Sequence, residues 1–378
     1  MIGASNQSSG LKKLGLIKRK SLNVAGSIEA EGGLKSGLHL EGLDAATLSV
    51  KRMYEQHPYP SPVAGDSLIS DLANAVGFLF RGDDLAGWRI LDAGCGTGHR
   101  LVGLAARYPK AQFTGIDMTA SSLSVARRIA QKHEVANVEF LQGNLLQLDL
   151  SSRYDLIVST GVIHHLTDPE AGLRNLCGLM AQDGILMVWL YHSLGEFQRL
   201  LNREMALLIL AEERANIKEG LDILRELNLS LSVGQYGTRT AKLSTHETNQ
   251  ASLDVDAYLH PIVNAYRFQQ AFDMLSQCQV EWAAINSINL EGQSKLIDLR
   301  QVSSDPFFCV TAEDLFESSA LRDKYCALSD ADKLKLIELV LKPTGFTILA
   351  GKDAGLNKCG DRIRHSAIKV RPVPCVNQ

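Results

Sequence analysis

The chain has 378 residues, 45% hydrophobic and 21% charged, which is material for one large domain with additions or for two ordinary ones. A formal charge of -3 offers no general pull on polyanions, and the longest apolar run, Gly184 to Leu190, is strand length, well short of the roughly 20 residues that cross a bilayer. The cysteines (Cys95, Cys177, Cys278, Cys309, Cys326, Cys359 and Cys375) are odd in number and lack C-x-x-C spacing, so reduced thiols in a cytoplasmic compartment are expected and a metal site is not.

Residues 1–42 carry Lys12, Lys13, Lys18, Arg19 and Lys20, with no acid before Glu29. These charges interrupt any secretory apolar core; a transit peptide or a nucleic-acid arm would also be basic, and a flexible solvated tail is the reading adopted. Residues 43–84 read as a helical cap. In it DAATLSVKRMYEQ is a helix with Asp44 as N-cap and His57-Pro58 as stop, and SLISDLANAVGFLF is a second, by its apolar spacing. Between them the segment HPYPSP must run extended, as a linker or as a strap over a site.

Over residues 85–194 strand, turn and helix alternate. WRILDAG precedes a helix near 98–107, AQFTGID precedes SSLSVARRIAQKH, VEFLQGN follows, YDLIVST precedes PEAGLRNLCGLMA, and GILMVWLY closes the series. Short buried runs in that order predict a parallel sheet with helices on both faces, its strand C-termini gathered on one ligand-binding edge. Residues 195–343 depart from the alternation. They read as helical insertions shaping a substrate pocket: a long helix over 196–227, a polar stretch over 228–256, a helix opened by Pro261 and running through 264–279, and one core strand near 280–286. A last core strand is expected at 344–352, and residues 353–378, with Lys358, Arg362, Arg364, Lys369 and Arg371, read as a basic C-terminal tail.

The chemistry concentrates in RILDAGCGTGHRL, a strand that runs into Gly94, Gly96 and Gly98 and then a helix, so a ligand can approach the main chain with no Cβ in the way. Asp117 closes the next strand, where a carboxylate accepts hydrogen bonds from both hydroxyls of a ribose. Gly143-Asn144 follows the third strand, where an amide can read an adenine edge, and Ser159, Thr160 and Gly161 close the fourth. A nicotinamide-type dehydrogenase is the rival, but its GxGxxG fingerprint is not met by GCGTGH, whose third glycine stands one position early. The absence of a Lys-Ser/Thr pair after the glycines excludes a P-loop.

Leu91-Asp92-Ala93-Gly94-Cys95-Gly96-Thr97-Gly98 resembles the LDxGCGTG motif of the class I S-adenosylmethionine-dependent methyltransferases, a resemblance that covers about residues 85–195. It implies an α/β fold built on a doubly wound, mostly parallel, seven-stranded Rossmann-like sheet, with an N-terminal helical lid and helical insertions after the fifth strand. It also implies S-adenosyl-L-methionine as cofactor. Carried over residue by residue, the glycine loop (Asp92, Ala93, Gly94, Cys95, Gly96, Gly98) holds the methionine part, with Asp92 near its amino group. Asp117 with Met118 holds the ribose, Asn144 with Leu145 the adenine, and Thr160 with Gly161 closes the edge. The family often has an aspartate where this chain has Asn144. Because the segment before the first strand commonly folds over the cofactor in that family, Tyr54 and Tyr59 join the expected cofactor site. The PYP segment upstream and YLHP downstream further resemble a group of bacterial methyltransferases that pair the two.

Four residues are candidates for catalysis: His164, His165, His260 and Tyr191. Neutral imidazole suits proton removal near pH 7. The competing reading is that one histidine of GVIHHLTDPE packs and fixes the loop; a metal site is disfavoured because adjacent side chains point apart and no HxxxH occurs. The expected reaction is in-line methyl transfer to an O or N of a small molecule or peptide-like metabolite, with no membrane partner. A methyltransferase acting on protein or RNA is one alternative, and a non-catalytic S-adenosylmethionine-binding module is another.

Overall fold

The computed structural model describes residues 42–62, 67–80, 84–210, 216–229, 247–290, 293–300 and 308–370. The expected basic N-terminal tail, apart from Gly42, lies outside the described residues, as does most of the polar stretch before residue 247. Five strands, β1 (Arg89–Ala93), β2 (Gln112–Asp117), β3 (Val138–Gln142), β4 (Tyr154–Thr160) and β5 (Met180–Tyr191), pair in parallel in the order β3-β2-β1-β4-β5. The apolar runs of β1, β4 and β5 are buried on both faces: Leu91, Ile157 and Leu186 join one cluster, and Ile90, Leu156 and Ile185 the other. The helices α3 (His99–Arg107), α4 (Ala120–Lys132) and α5 (Pro169–Gly178) are the crossovers. Strand order reverses between β1 and β4, which opens a crevice at their C-terminal ends.

The sheet continues beyond β5 through β8 (Gly345–Gly351), antiparallel to β5, then β6 (Trp282–Leu290) and β7 (Gln293–Leu296), while β9 (Ile368–Lys369) pairs with β6. The sheet thus has nine strands where seven were expected. The two extra strands are short and polar, without the apolar run by which a strand is recognised in sequence. The expected C-terminal tail is likewise folded over its described part: α10 (Asp353–Leu356), α11 (Asp361–Ser366) and β9 anchor it on β5 and β6, with Ile363 buried.

The helical cap is α1 (Ala45–Gln56) and α2 (Ser67–Leu79). Asp44 caps α1 by accepting from Ala46 N and Thr47 N, each at 2.9 Å, and the helix stops at His57, before Pro58. Beyond β5 the expected single helix over 196–227 is two, α6 (Phe197–Leu210) and α7 (Ile217–Glu226), because Asn216 starts a new one by accepting from Glu219 N. After α8 (Glu247–Asp254) the chain makes a π-helical turn, Val255–Leu259. Pro261 does not open a helix: residues 260–267 are irregular, and α9 (Phe268–Ser276) begins only behind Arg267. Met53 of α1, Leu210 of α6, Leu224 of α7 and Tyr258 of the π-helical turn form a third apolar cluster, which fastens the cap to the insertions. Among the described residues no helix is long and apolar enough to cross a membrane.

Candidate functional site

The crevice between β1 and β4 is the wall of a cleft with some 890 Å³ of space, part of it open to solvent. Gly94, Cys95 and Gly96 line it from β1, Asp117 and Met118 from β2, Asn144 and Leu145 from the turn after β3, and Thr160 and Gly161 from β4. Over it lies the strap. Thr97 N donates to Tyr59 O at 3.3 Å and Thr97 Oγ1 to Pro60 O at 2.9 Å, so the HPYPSP segment is hydrogen-bonded onto the glycine loop. A Cβ on Gly96 would meet Tyr59 O at 2.2 Å, and its φ of 51° is a left-handed value; here glycine is required by the strap as well as by the turn. Tyr54 and Tyr59 both line the cleft.

Asp117 Oδ2 accepts from Gly96 N at 2.9 Å, and Oδ1 accepts from Thr119 N at 2.9 Å and Thr119 Oγ1 at 2.7 Å. Burial raises the pKa of this carboxyl while those hydrogen bonds hold it down, and Oδ2 keeps a lone pair for a further donor. Asn144 is buried; its Oδ1 accepts from Leu146 N at 3.0 Å, which orients the amide in the turn.

Three of the residues expected around the cofactor do not line the cleft: Asp92, Ala93 and Gly98. Ala93 is buried in β1, and Gly98 is needed for packing, because a Cβ there would meet Ala126 Cβ of α4 at 2.5 Å. Burial pushes the carboxyl of Asp92 up to about 7; Arg100 pulls it down and Asp117 pushes it further up. Cys95 is buried, and burial, Asp117 and Asp92 raise its pKa well above the ordinary thiol range, which suits packing rather than attack.

The catalytic candidates gather into one stack of rings. His164 lies on Tyr191 with centroids 4.0 Å apart, and His165 lies on His260 at 3.8 Å. Only His165 lines the cleft, and Tyr191 lines a second cavity beside it. His165 Nδ1 is 2.7 Å from Ile262 O; a carbonyl only accepts, so Nδ1 carries the proton and Nε2 the lone pair. His164 and His260 are fully buried in the stack and line neither cavity. Burial lowers the pKa of both well below the ordinary range, the neighbouring imidazoles adding to it, so both are neutral. Both ring nitrogens of His164 lack a hydrogen-bond partner, and among the described residues no group of three His, Cys, Asp or Glu could hold a metal.

Several lining residues were not foreseen. Thr47 and Val50 share with Tyr54 one face of α1 at helical spacing, a signal that the sequence carried. Arg100, two residues past the loop, lines both cavities. The second cavity, some 1640 Å³ with part open to solvent, draws Asp71, Trp189, Asp256 and Lys295 from four separate segments, a convergence that no local pattern reveals.

Comparison with known proteins follows the same map. A family model described as a methyltransferase domain matches residues 84–228. An uncharacterized protein of Synechococcus is 30% identical over 307 residues, which are 79% of this chain and 69% of that protein. A malonyl-[acyl-carrier protein] O-methyltransferase of Bacillus anthracis is 37% identical over 99 residues, 26% of this chain and 36% of that enzyme. Solved structures of PKMT2 from Rickettsia typhi, one in complex with AdoHcy, share the fold with TM-scores of 0.52 and 0.50 at 19% identity; the matches cover 76% and 78% of this chain and 54% of theirs. The chain thus spans about a third of the Bacillus enzyme and about half of the Rickettsia protein.

Proposed function

The chain belongs to the class I S-adenosylmethionine-dependent methyltransferases, with S-adenosylmethionine as its cofactor, and from that premise we propose that it methylates an O or N of a small-molecule or peptide-like acceptor. The observation that carries the acceptor reading is the shared wall: Tyr59, Arg100, Thr160 and Gly161 line both the cleft and the second cavity. A ligand in the one therefore meets a ligand in the other at these four residues.

The cleft fits the cofactor on its own chemistry. Asp117, with a spare lone pair, takes a ribose hydroxyl; Asn144, whose oxygen is engaged by Leu146 N, offers its NH2 to the adenine edge; and Met118 and Leu145 supply apolar walls. The main chain at Gly94 and Gly96 is open to close approach. When bound, S-adenosylmethionine supplies an electrophilic methyl on a sulfonium sulfur. The protein's own task is to align the acceptor, exclude water and take a proton where the acceptor carries one. His165 Nε2 is the base on this reading, since its lone pair is fixed by the bond from Nδ1 to Ile262 O and it stands in the cleft wall. The strap and α1, held by Thr97 and closed by Tyr54 and Tyr59, form the lid.

The test is incubation of the protein with methyl-labelled S-adenosylmethionine and a cell extract. Label in the small-molecule fraction is the expected result. Label confined to protein or nucleic acid overturns the acceptor class, and no transfer by a protein that binds the cofactor would leave a non-catalytic module.

A further inference from the structure

The second cavity contains four charged side chains: Asp71 on α2, Arg100 on α3, Asp256 in the π-helical turn and Lys295 on β7. Its two cations already face acids. Lys295 pairs with Asp314, and Arg100 faces the charges of Asp71 and Asp92. The acids are less satisfied. Asp256 is only 9% exposed; its Oδ1 accepts from Tyr54 OH at 2.6 Å, but Oδ2 takes no hydrogen bond from the described residues. Tyr54 lines the cleft and Asp256 the cavity, so this bond joins a wall of the one to a wall of the other.

Oδ2 is not sealed from solvent, and since the neighbouring groups supply no donor, its partner comes from whatever fills the cavity. The missing partner is a donor that also brings positive charge. An alcohol supplies one hydrogen bond and no charge; a carboxylic acid, ionised near neutral pH, is repelled by Asp256 and Asp71 alike. The aromatic walls agree in sign. Trp189 and Tyr59 line the cavity, whereas the Tyr191 ring is already engaged, His164 stacking at 4.0 Å and the Arg199 guanidinium lying 4.6 Å from its centroid.

We propose that the cavity binds a protonated primary or secondary amine, donating to Asp256 Oδ2 with Asp71 as the second counter-charge, and that the methyl acceptor is therefore an amine-bearing molecule. This deepens the methyltransferase reading and rests on it. The same hydrogen bond from Tyr54 makes Asp256 the link between acceptor and lid: the residue that recognises the amine also holds α1 closed.

Three probes of one skeleton test it on the full chain: phenethylamine, 2-phenylethanol and phenylacetate, titrated by calorimetry with saturating S-adenosylhomocysteine. The amine is expected to bind roughly tenfold more tightly than the alcohol, as a charged hydrogen bond implies, and the acid more weakly still. Asp256→Asn, which keeps an acceptor for Tyr54, is expected to erase the preference for amine over alcohol; Asp71→Asn is expected to reduce it. An alcohol or acid that binds as well as the amine, a preference that survives Asp256→Asn, or no binding by any probe overturns the proposal. If Asp256→Asn does not fold, the wild-type ranking decides alone. Binding of S-adenosylhomocysteine, read first in the same cell, separates the two claims: its failure would sink the methyltransferase reading, whereas its success with no amine preference sinks only this one.

Discussion

Asp92 and Asp117 stand on neighbouring parallel strands, and their surroundings treat them differently. Asp117 is held by three donors, while Asp92 is buried beside it with its carboxyl pushed up to about 7. An acid whose folded pKa lies above its unfolded value of about 3.9 binds more protons in the native state between the two, so its contribution to stability falls as pH rises from about 4 to about 7. Asp92→Asn removes that fall. Urea midpoints for the variant are therefore expected to gain on wild type across this window and to hold a constant lead above it; a lead independent of pH from 4 upward would contradict the assignment. Among residues, the motif LDAGCGTG exposed the glycine loop and Asp117 because their roles depend on backbone conformation and strand ends, which sequence order determines. It did not distinguish Gly96, under the strap, from Gly98, against Ala126, since both needs arise from contacts distant in the chain. Nor did adjacency in sequence show which of His164 and His165 reaches the cleft; the bond from His165 to Ile262 decides that, 97 positions away.

The element that most concerns function is α1. Its residues Thr47, Val50 and Tyr54 face the cleft, and its last turn sends Glu55 to the start of α4, where Oε1 accepts from Ala120 N at 3.1 Å and Oε2 from Ser121 N at 3.3 Å. Although burial raises this carboxyl, the hydrogen bonds from Ser121 and Ala120 lower it on balance, as expected for an anion at a helix N-terminus. The lid is thereby docked on the helix that follows Asp117. Glu55→Ala is expected to cost roughly 0.5–1 kcal/mol of stability, the scale of a capping carboxylate, and to weaken S-adenosylhomocysteine binding severalfold by loosening the lid. Equal affinity in wild type and variant would show that α1 does not restrain the cofactor. Helices with a capping residue and a periodic face, such as α1 behind Asp44, were legible in sequence, as were β1 to β5 from their alternation with turns and helices. The polar edge strands β7 and β9 were not, because their pairing partner, β6, supplies what their own composition lacks. Pro261 misled for a related reason: proline suits a helix start, but the chain there is engaged otherwise, Ile262 O accepting from His165.

At the scale of the molecule, two cavities share a wall at the C-terminal edge of β4, and the cap and insertions meet in one apolar cluster. The alternation of strands and helices foretold that edge; the second cavity, assembled from α2, β5, β6 and β7, exists only through tertiary packing. The central claim is that the cleft under the strap holds S-adenosylmethionine with Asp117 on its ribose. Calorimetry with S-adenosylmethionine on the intact protein and on Asp117→Ala tests it most directly. Loss of the charge-assisted hydrogen bond to the ribose is expected to weaken binding by about tenfold, with the far-ultraviolet spectrum unchanged. No binding by the intact protein, or equal binding by the folded variant, would contradict the account.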